Sequence, residues 1–250
     1  MVCMTSTDHP GPGSTPGDDV VAVLAVKRLD EAKTRLAASH GAGPGPLHRA
    51  LVLAMMRDTV DAVAAAGIER IVVISPDEDV LAAAHAAGAV GLRESTGRDV
   101  PGGHARLNLA FAHATTTVRE WWPGTRAVLL VQADLPAATA ESLRAVVACA
   151  AEHRRAVLTD RDGTGTTILI RDVDITELPL FGPDSASAHR MAGAVELDPT
   201  HARWPDLRTD VDTAADLETA RSLGLGRHTT DALRRQGTVT DAATTAGRCR

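Results

Sequence analysis

The sequence predicts a layered α/β/α domain, because short apolar runs alternate along the chain with helical patterns. The 250 residues are enough for one sizeable domain with a buried core, and 44% of them are hydrophobic. Residues 1–18 are rich in Pro, Gly, Ser and Thr, and the chain from residue 227 shows no clear apolar face. We therefore expect one domain over residues 19–226, between a disordered tail at 1–18 and a flexible tail at 227–250.

The strands of the central sheet are predicted by continuous apolar runs. The first, 20–26, is rich in β-branched residues, as is usual for a strand buried on both faces. The other predicted strands are 70–75, which ends before Pro76, then 126–133, 156–159 and 166–170. The last two of these flank a Gly-Thr turn.

Helical periodicity fills the segments between these runs. In 47–66, apolar residues recur at intervals of three and four, which marks one face of a helix. The segment 77–87 is rich in Ala and is ended by Gly88. The remaining predicted helices are 105–119, 139–152, a short helix capped by Asp184, and a last one begun by a capping box of Thr213 and Asp216.

Composition excludes several classes of function. A net charge of −6 gives no broad attraction to nucleic acid or an anionic membrane, and 2% aromatic residues leave few platforms for stacked bases. The apolar runs are too short to span a bilayer, and no secretory signal is visible. Cys3, Cys149 and Cys249 form no C-x-x-C pair, which argues against a disulfide framework or a zinc site. We expect a cytoplasmic protein.

Two acidic segments, far apart in sequence, indicate the chemistry. Asp134 ends the apolar run 127–133, and a carboxylate there is costly unless something pairs it. Asp210 and Asp212 precede the last helix, and their alternation around Val211 would put both on one face of an extended segment. If these acids converge, they would hold Mg²⁺, which points to phosphoryl or nucleotidyl transfer. The simpler interpretations are a turn before Pro136 and ordinary helix capping.

A basic segment follows the first strand. Lys27, Lys33 and Arg35 could neutralise a triphosphate, although mixed charge of this kind also suits a solvated surface. In α/β sheets, ligands bind beyond the carboxyl ends of the strands. Lys27, Ser75 and Asp134 all follow strand ends, so we expect them along one rim of the sheet.

Three further segments could contact an anion or a nucleoside. The run 163–167, Gly-Thr-Gly-Thr-Thr, is either a hairpin turn or an anion nest. In 181–187, Gly182 permits close approach and Ser185 begins a helix that carries His189 and Arg190, so a phosphate or carboxylate pocket competes with a plain turn. A metal-binding role for His189 is the weaker alternative. Asn108 suits a base edge or ribose, and equally a helix cap.

Taken in order, these segments resemble the phosphoenolpyruvate / 2-phospho-L-lactate guanylyltransferases of coenzyme F420 biosynthesis. The resemblance covers about residues 20–225. It is carried by Ala25-Val26-Lys27 with Ala32-Lys33-Thr34-Arg35-Leu36, Leu107-Asn108, Asp134-Leu135-Pro136, Gly163-Thr164-Gly165-Thr166, Phe181-Gly182-Pro183-Asp184-Ser185, Ala188-His189-Arg190 and Asp210-Val211-Asp212-Thr213. Two departures stand out: Lys27-Arg28-Leu29 replaces the Gly-rich loop of broader nucleotidyltransferases, and Ala133 replaces the Gly of most relatives.

The resemblance implies a Rossmann-like, GT-A-like nucleotidyltransferase fold with a mixed, mostly parallel sheet. It implies transfer of GMP from GTP to phosphoenolpyruvate or 2-phospho-L-lactate, with release of pyrophosphate. The implied site residues are Asp134, Asp210 and Asp212 for Mg²⁺; Thr166, Gly182 and Ser185 for the acid; Lys27, Lys33 and Arg35 for the nucleotide phosphates; Asn108 for the nucleoside; and Lys27, Lys33 and Asp134 as catalytic groups.

The expected partners are GTP, a small phosphorylated three-carbon acid and, because the product should be labile, the next enzyme of the coenzyme pathway. Two alternatives differ in class. One is a nucleotidyltransferase acting on another acceptor such as a molybdopterin, against which the missing Gly-rich loop argues. The other is a catalytically silent nucleotide-binding regulator, against which the three costly acidic positions argue.

Overall fold

The centre of the protein is a seven-stranded sheet. The computed structural model describes residues 19–33, 35–36, 45–94 and 103–236. The strands are β1 (Val20–Ala25), β2 (Arg70–Ser75), β3 (Val90–Arg93), β4 (Ala127–Gln132), β5 (Arg155–Thr159), β6 (Thr166–Asp172) and β7 (Val195–Glu196). Their order is β3-β2-β1-β4-β6-β5-β7, and among these described strands β6 alone runs antiparallel to its neighbours. The prediction of a mixed, mostly parallel sheet is therefore confirmed.

Helices connect the strands and cover both faces of the sheet. They are α1 (Pro46–Ala65), α2 (Glu78–Ala86), α3 (Gly103–Trp121), α4 (Ala140–Ala150), α5 (Ser185–Met191), α6 (Pro205–Arg208), α7 (Ala214–Leu223) and α8 (227–236). Within the described residues, no helix is both long and apolar enough to cross a membrane.

Strand β1 shows how the sequence separates two apolar layers. Ala22 and Leu24 point into a large core beneath α1, α2, α4 and α7, whereas Val21 and Val23 point into a smaller core beneath α3. Successive residues of a strand face opposite sides of the sheet, so a continuous apolar run is what a strand covered on both faces requires. The predicted three-layer α/β/α architecture follows, and it is confirmed.

The position of β1 determines where a ligand can bind. It lies between β2 and β4, because the chain first winds toward β3 and then crosses to the other side of β1. At such a switch point the loops after the two strands diverge and leave a crevice at the carboxyl ends. The segments that follow β1 and β4 carry Lys27 and Asp134, so the crevice opens beside them.

The predicted elements agree with the observed ones apart from short or exposed pieces. Strand β3 has four residues that are mostly exposed, and β7 has two, so neither shows an apolar run. The capping box of Thr213 and Asp216 is present at the start of α7. Asp184 precedes α5 as predicted, but its side chain makes no capping hydrogen bond and its backbone is left-handed. That part of the prediction is wrong.

The expectation of a flexible tail from residue 227 does not hold for residues 227–236. They form α8, whose first turn is bound by the buried carboxylate of Asp58 through the N–H groups of His228 and Thr229, at 3.0 and 2.8 Å. Gly226 makes this approach possible, since a Cβ there would lie 2.3 Å from the Asp58 carboxylate. The predicted tail at 1–18 and residues 237–250 lie outside the described residues.

Candidate active site

The main cavity lies at the carboxyl ends of β1 and β4 and has a volume of about 600 Å³. It brings together the residues that the sequence nominated for the nucleotide phosphates, the metal ion and the acid. Those lining it are Lys27, Lys33, Arg35, Asp134, Thr166, Gly182, Ser185, Asp210 and Asp212. Ser75, expected on the same rim, is instead buried, and its hydroxyl accepts the N–H of Asp77 at 3.1 Å.

The two acidic segments are joined directly through their backbones. The N–H of Val211 donates to the carbonyl oxygen of Asp134 at 3.1 Å. Val211 is buried in the large core, while Asp210 and Asp212 on either side of it both face the cavity. The predicted alternation is therefore confirmed, and it brings three carboxylates to one wall.

The segment that carries Asp210 is anchored by a buried arginine. Arg208 is almost fully buried and donates hydrogen bonds to the carbonyl oxygen and the hydroxyl of Thr159, at 3.0 and 2.6 Å. It also pairs with the Asp198 carboxylate at 3.2 Å. A buried guanidinium needs partners for its donors, and these bonds fix the chain just before Asp210 to the end of β5.

Lys33 lies between the acidic segments. Its ammonium contacts the carboxylate of Asp134 and lies 2.5 Å from that of Asp212. The residue has a left-handed backbone, with φ of 53°, which is uncommon for a side chain of this kind and costs free energy. Arg35, which is exposed, lies 3.8 Å from the other Asp212 oxygen. The Lys33 ammonium thus occupies the space between the two carboxylates where a metal ion would bind.

The acids differ in protonation behaviour. Burial raises the pKa of Asp210 to about 6, although the nearby Lys33 ammonium works in the opposite direction. For Asp212 burial also opposes the charged form, but Lys33 and Arg35 outweigh it, so the pKa of Asp212 is lowered. Burial therefore dominates the pKa of Asp210, whereas the neighbouring positive charges dominate that of Asp212.

The donor atoms suit a hard divalent cation. One oxygen of Asp134, Oδ1, is buried and has no hydrogen-bond partner among the described residues. Carboxylate oxygens are the ligands that Mg²⁺ prefers, and an unpartnered buried carboxylate oxygen is costly. Across the described ranges, however, no three acidic, histidine or cysteine side chains are already gathered around one point as a metal site. Lys33 takes the central position instead.

A buried histidine, His189, lies behind the cavity lining and contacts the lining residue Thr166. His189 accepts the N–H of Leu180 on Nε2 at 2.9 Å, so the proton of the neutral ring is on Nδ1, which donates to the Thr166 hydroxyl at 3.1 Å. Burial lowers the pKa of His189 to about 4, and the charge of Arg171 adds to this. Since Thr166 accepts from the histidine, its own hydroxyl proton is free to point toward an anion.

The Gly-Thr-Gly-Thr run is the hairpin between β5 and β6, and an acid that the sequence analysis missed shapes it. The Asp160 carboxylate accepts the N–H groups of Thr164 and Gly165 at 3.0 and 2.8 Å. A Cβ on Gly165 would lie 2.3 Å from that carboxylate, which explains the glycine. Asp160 directly follows the predicted strand 156–159, as Asp134 directly follows 126–133. This shared position after a strand is the sequence signal that could have identified Asp160.

Asn108 differs from its expected role. Its amide nitrogen donates to the carbonyl oxygen of Phe181 and its amide oxygen accepts the Phe181 N–H, both at 2.9 Å. It is not among the described residues that line the main cavity. Asn108 therefore fixes the backbone beside Gly182 to α3, and its expected contact with the nucleoside remains a prediction. Gly182 itself has φ of 143° and lies against His104.

Comparison with known proteins gives consistent results. A family model described as "Guanylyl transferase CofC like" matches residues 20–250. The phosphoenolpyruvate guanylyltransferase of Nocardia farcinica is 45% identical over 219 residues, which cover 86% of this chain and 91% of that protein. The enzyme of the same name from Mycobacterium ulcerans is 43% identical over 209 residues, covering 83% and 90%.

Solved structures with low sequence identity share the fold. A nucleotidyl transferase from Methanothermobacter superposes with a TM-score of 0.56 at 19% identity, over 83% of this chain and 98% of that one. A cytidylyltransferase from Leptospira borgpetersenii has a TM-score of 0.51 at 16% identity, over 89% and 95%. These likenesses support the layered architecture.

Proposed function

This chain belongs to the guanylyl transferase CofC-like family, and we propose that it transfers GMP from GTP to phosphoenolpyruvate in the biosynthesis of coenzyme F420. Membership of the family makes the chain a nucleotidyltransferase. The identity of the acceptor is the part that we propose. Phosphoenolpyruvate is favoured over 2-phospho-L-lactate because the relatives at 43–45% identity carry its name.

The observation that carries the proposal is one cavity with two chemically different walls. One wall holds Asp134, Asp210 and Asp212 around Lys33. Another part of the lining is formed by Thr166 and by the segment from Gly182 to Ser185. A triphosphate with its metal suits the first wall, and a small phosphorylated acid suits the second.

The reaction needs no strong base. A phosphate oxygen of the acceptor forms a bond to the α-phosphorus of GTP, and the bond from that phosphorus to the bridging oxygen breaks, so pyrophosphate leaves with the electron pair. The acceptor is already an anion, so no proton has to be removed. The barrier arises from repulsion between two anions and from charge that builds up on the pyrophosphate.

The residues of this chain address that barrier by position and charge. Lys27 and Arg35 are exposed at the cavity wall, where they can pair with the β- and γ-phosphates. If Asp134 and Asp212 held a divalent cation, the Lys33 ammonium would be free to pair with the phosphates. Thr166, oriented by His189, donates to the acceptor and holds it in line with the α-phosphorus.

Asp134, Asp210 and Asp212 would hold the divalent metal that nucleotidyltransferases of this type generally use. An Mg²⁺ ion held there would neutralise charge on the reacting phosphate oxygens. The unpartnered Oδ1 of Asp134 is the observation in favour of such a ligand.

An acceptor panel tests the proposal. Purified protein with Mg²⁺ and GTP should release pyrophosphate with phosphoenolpyruvate, and at most slowly with 2-phospho-L-lactate, 3-phosphoglycerate or no acid. If pyrophosphate release were fastest with 2-phospho-L-lactate, that acid would be the acceptor in place of phosphoenolpyruvate. Absence of acid-dependent release across the whole panel would refute the proposed reaction.

A further inference from the structure

A second cavity opens beside the main one and has a volume of about 230 Å³. The two share a wall, formed by Ala25, Val26, Lys27, Glu31 and Leu107. The second cavity extends from there toward the end of β3, where Glu94 and Arg106 line it. Ligand pockets for drug-sized molecules start at about 300 Å³, so this space suits one heterocyclic ring system and not a whole nucleotide.

The far wall of this cavity carries an incompletely satisfied ion pair. The Glu94 side chain is 11% exposed and accepts the Nε–H of Arg106 at 2.5 Å. The Nη2 of Arg106 is buried and has no acceptor among the described residues. A buried guanidinium nitrogen without an acceptor is costly, and such a group calls for an explanation. Here a carboxylate and a spare cationic donor lie side by side.

The remaining charged side chains of the cavity do not offer this combination. Lys27, Arg28 and Glu31 are all exposed, so water can satisfy them. Arg28 also lies 3.8 Å from Asp30 on the surface. The polar recognition capacity of the cavity therefore rests on Glu94 and Arg106.

Guanine complements that pair. Its six-membered ring presents two adjacent donors, N1–H and N2–H₂, next to the O6 acceptor. A carboxylate can accept from both donors, and a guanidinium N–H can donate to O6. Adenine offers an acceptor at N1, which a carboxylate would repel, and it has no amino group at C2. We propose that this cavity binds the guanine base of GTP, and that Glu94 and Arg106 determine the base specificity.

The proposal rests on the proposed function for the identity of the nucleotide. The wall that the two cavities share indicates how that nucleotide would be oriented. A base in the second cavity places the ribose and triphosphate across Lys27 and into the main cavity, toward Asp134 and Lys33. One nucleotide then occupies both spaces.

The test compares GTP with ITP, which lacks only the 2-amino group. In equilibrium displacement of a fluorescent GTP analogue, the wild-type protein should bind GTP more tightly than ITP by about tenfold, as expected for a hydrogen bond to a charged group. Glu94→Gln should weaken GTP binding by about tenfold or more and ITP binding less, so that the GTP/ITP ratio falls toward one. Glu94→Asp, which keeps the charge and withdraws it by one methylene, should lower the ratio while retaining the fold.

Glu78→Gln is the matched control. Glu78 also pairs with an arginine, Arg93 at the end of β3, but Glu78 is exposed and lines neither cavity. It should keep the wild-type ratio. A wild-type GTP/ITP ratio in both Glu94 variants would overturn the inference, even if overall affinity fell, because a purely structural ion pair weakens both nucleotides equally. The displacement experiment measures nucleotide binding and needs no acceptor acid. Failure of the acceptor panel would therefore refute the proposed reaction without deciding whether Glu94 determines base specificity.

Discussion

The N–H of Val211 donates a hydrogen bond to the carbonyl oxygen of Asp134 at 3.1 Å. This bond joins the end of a central strand to the segment that precedes α7, and it aligns three carboxylates on one wall. Since Val211 is anchored in the core and Asp134 follows β4, the relative position of the acids is set by the fold and not by flexible side chains.

The first prediction concerns Asp134. Asp134→Asn should reduce the rate of pyrophosphate release by more than ~10²-fold. The substitution removes a negative charge from the proposed binding site of the cation that would stabilise the reacting phosphates. Steady-state kinetics measure the effect, and circular dichroism should show an unchanged fold. Asp174→Asn is the control, since Asp174 is an exposed carboxylate after β6, outside the cavity lining. Near-normal turnover in folded Asp134→Asn would remove this residue from the mechanism.

The second prediction concerns Lys33. Lys33→Met leaves the carboxylates of Asp134 and Asp212 without the ammonium that lies between them. Mg²⁺ should therefore raise the melting temperature of the variant more than that of the wild type, where the ion has to displace Lys33. Differential scanning fluorimetry with and without Mg²⁺ measures both shifts.

A matched control for Lys33 exists at the opposite end of the central strands, where Asp172 pairs with the first residue of β4. Arg154 also bridges two carboxylates, those of Asp172 and Asp174, at 2.8 and 3.0 Å. Arg154→Met should respond to Mg²⁺ as the wild type does, because those acids lie outside the cavity. Equal Mg²⁺ shifts in wild type and Lys33→Met would show that Lys33 does not occupy the cation position.

The third prediction concerns Thr166. Thr166→Val removes a hydroxyl with little change in shape, so the KM for phosphoenolpyruvate should rise by about tenfold or more while the KM for GTP changes little. Thr166→Ser retains the hydroxyl and should remain close to wild type. If Thr166→Val left the KM for the acid unchanged, the acceptor would have to bind elsewhere in the cavity.

The fourth prediction is a pH dependence of stability. The pKa of His189 is lowered by burial from its ordinary value to about 4. Between about pH 6.5 and 4 the unfolded chain therefore binds a proton that the folded chain does not, so the free energy of unfolding falls as the pH falls through this window. Above about pH 6.5 both states are neutral and the contribution is constant.

Comparison with His189→Gln isolates this contribution from that of the carboxylates. Urea denaturation at pH 7 and pH 4.5 should show the wild type losing on the order of 2 kcal/mol relative to the variant. A difference between the two proteins that does not change with pH would contradict a neutral, buried His189.

The sequence predicted the part of the site that local pattern encodes. Asp134 ends an apolar run, and the alternation around Val211 fixes where Asp210 and Asp212 point. Residues defined by long-range pairing were not predictable in the same way. Glu94 follows the mostly exposed strand β3 and meets Arg106 only through the packing of α3, so neither stands out in the sequence.

Asn108 illustrates the opposite case, in which a suitable residue type is already used by the fold. Both polar ends of its amide bind the backbone of Phe181. No local pattern shows that the side chain of Asn108 in α3 will form its hydrogen bonds with a loop so distant in sequence. The same holds for α8, whose first turn depends on Asp58 in α1.

In the proposed reaction, the acids that are distant in sequence share one divalent ion at the phosphates of GTP. Anomalous diffraction from crystals grown with Mn²⁺ and a non-hydrolysable GTP analogue would locate that ion. We predict a peak within about 2.5 Å of carboxylate oxygens of both Asp134 and Asp210 or Asp212, with Lys33 moved toward the phosphates. A peak away from these acids, with Lys33 still between Asp134 and Asp212, would contradict the account.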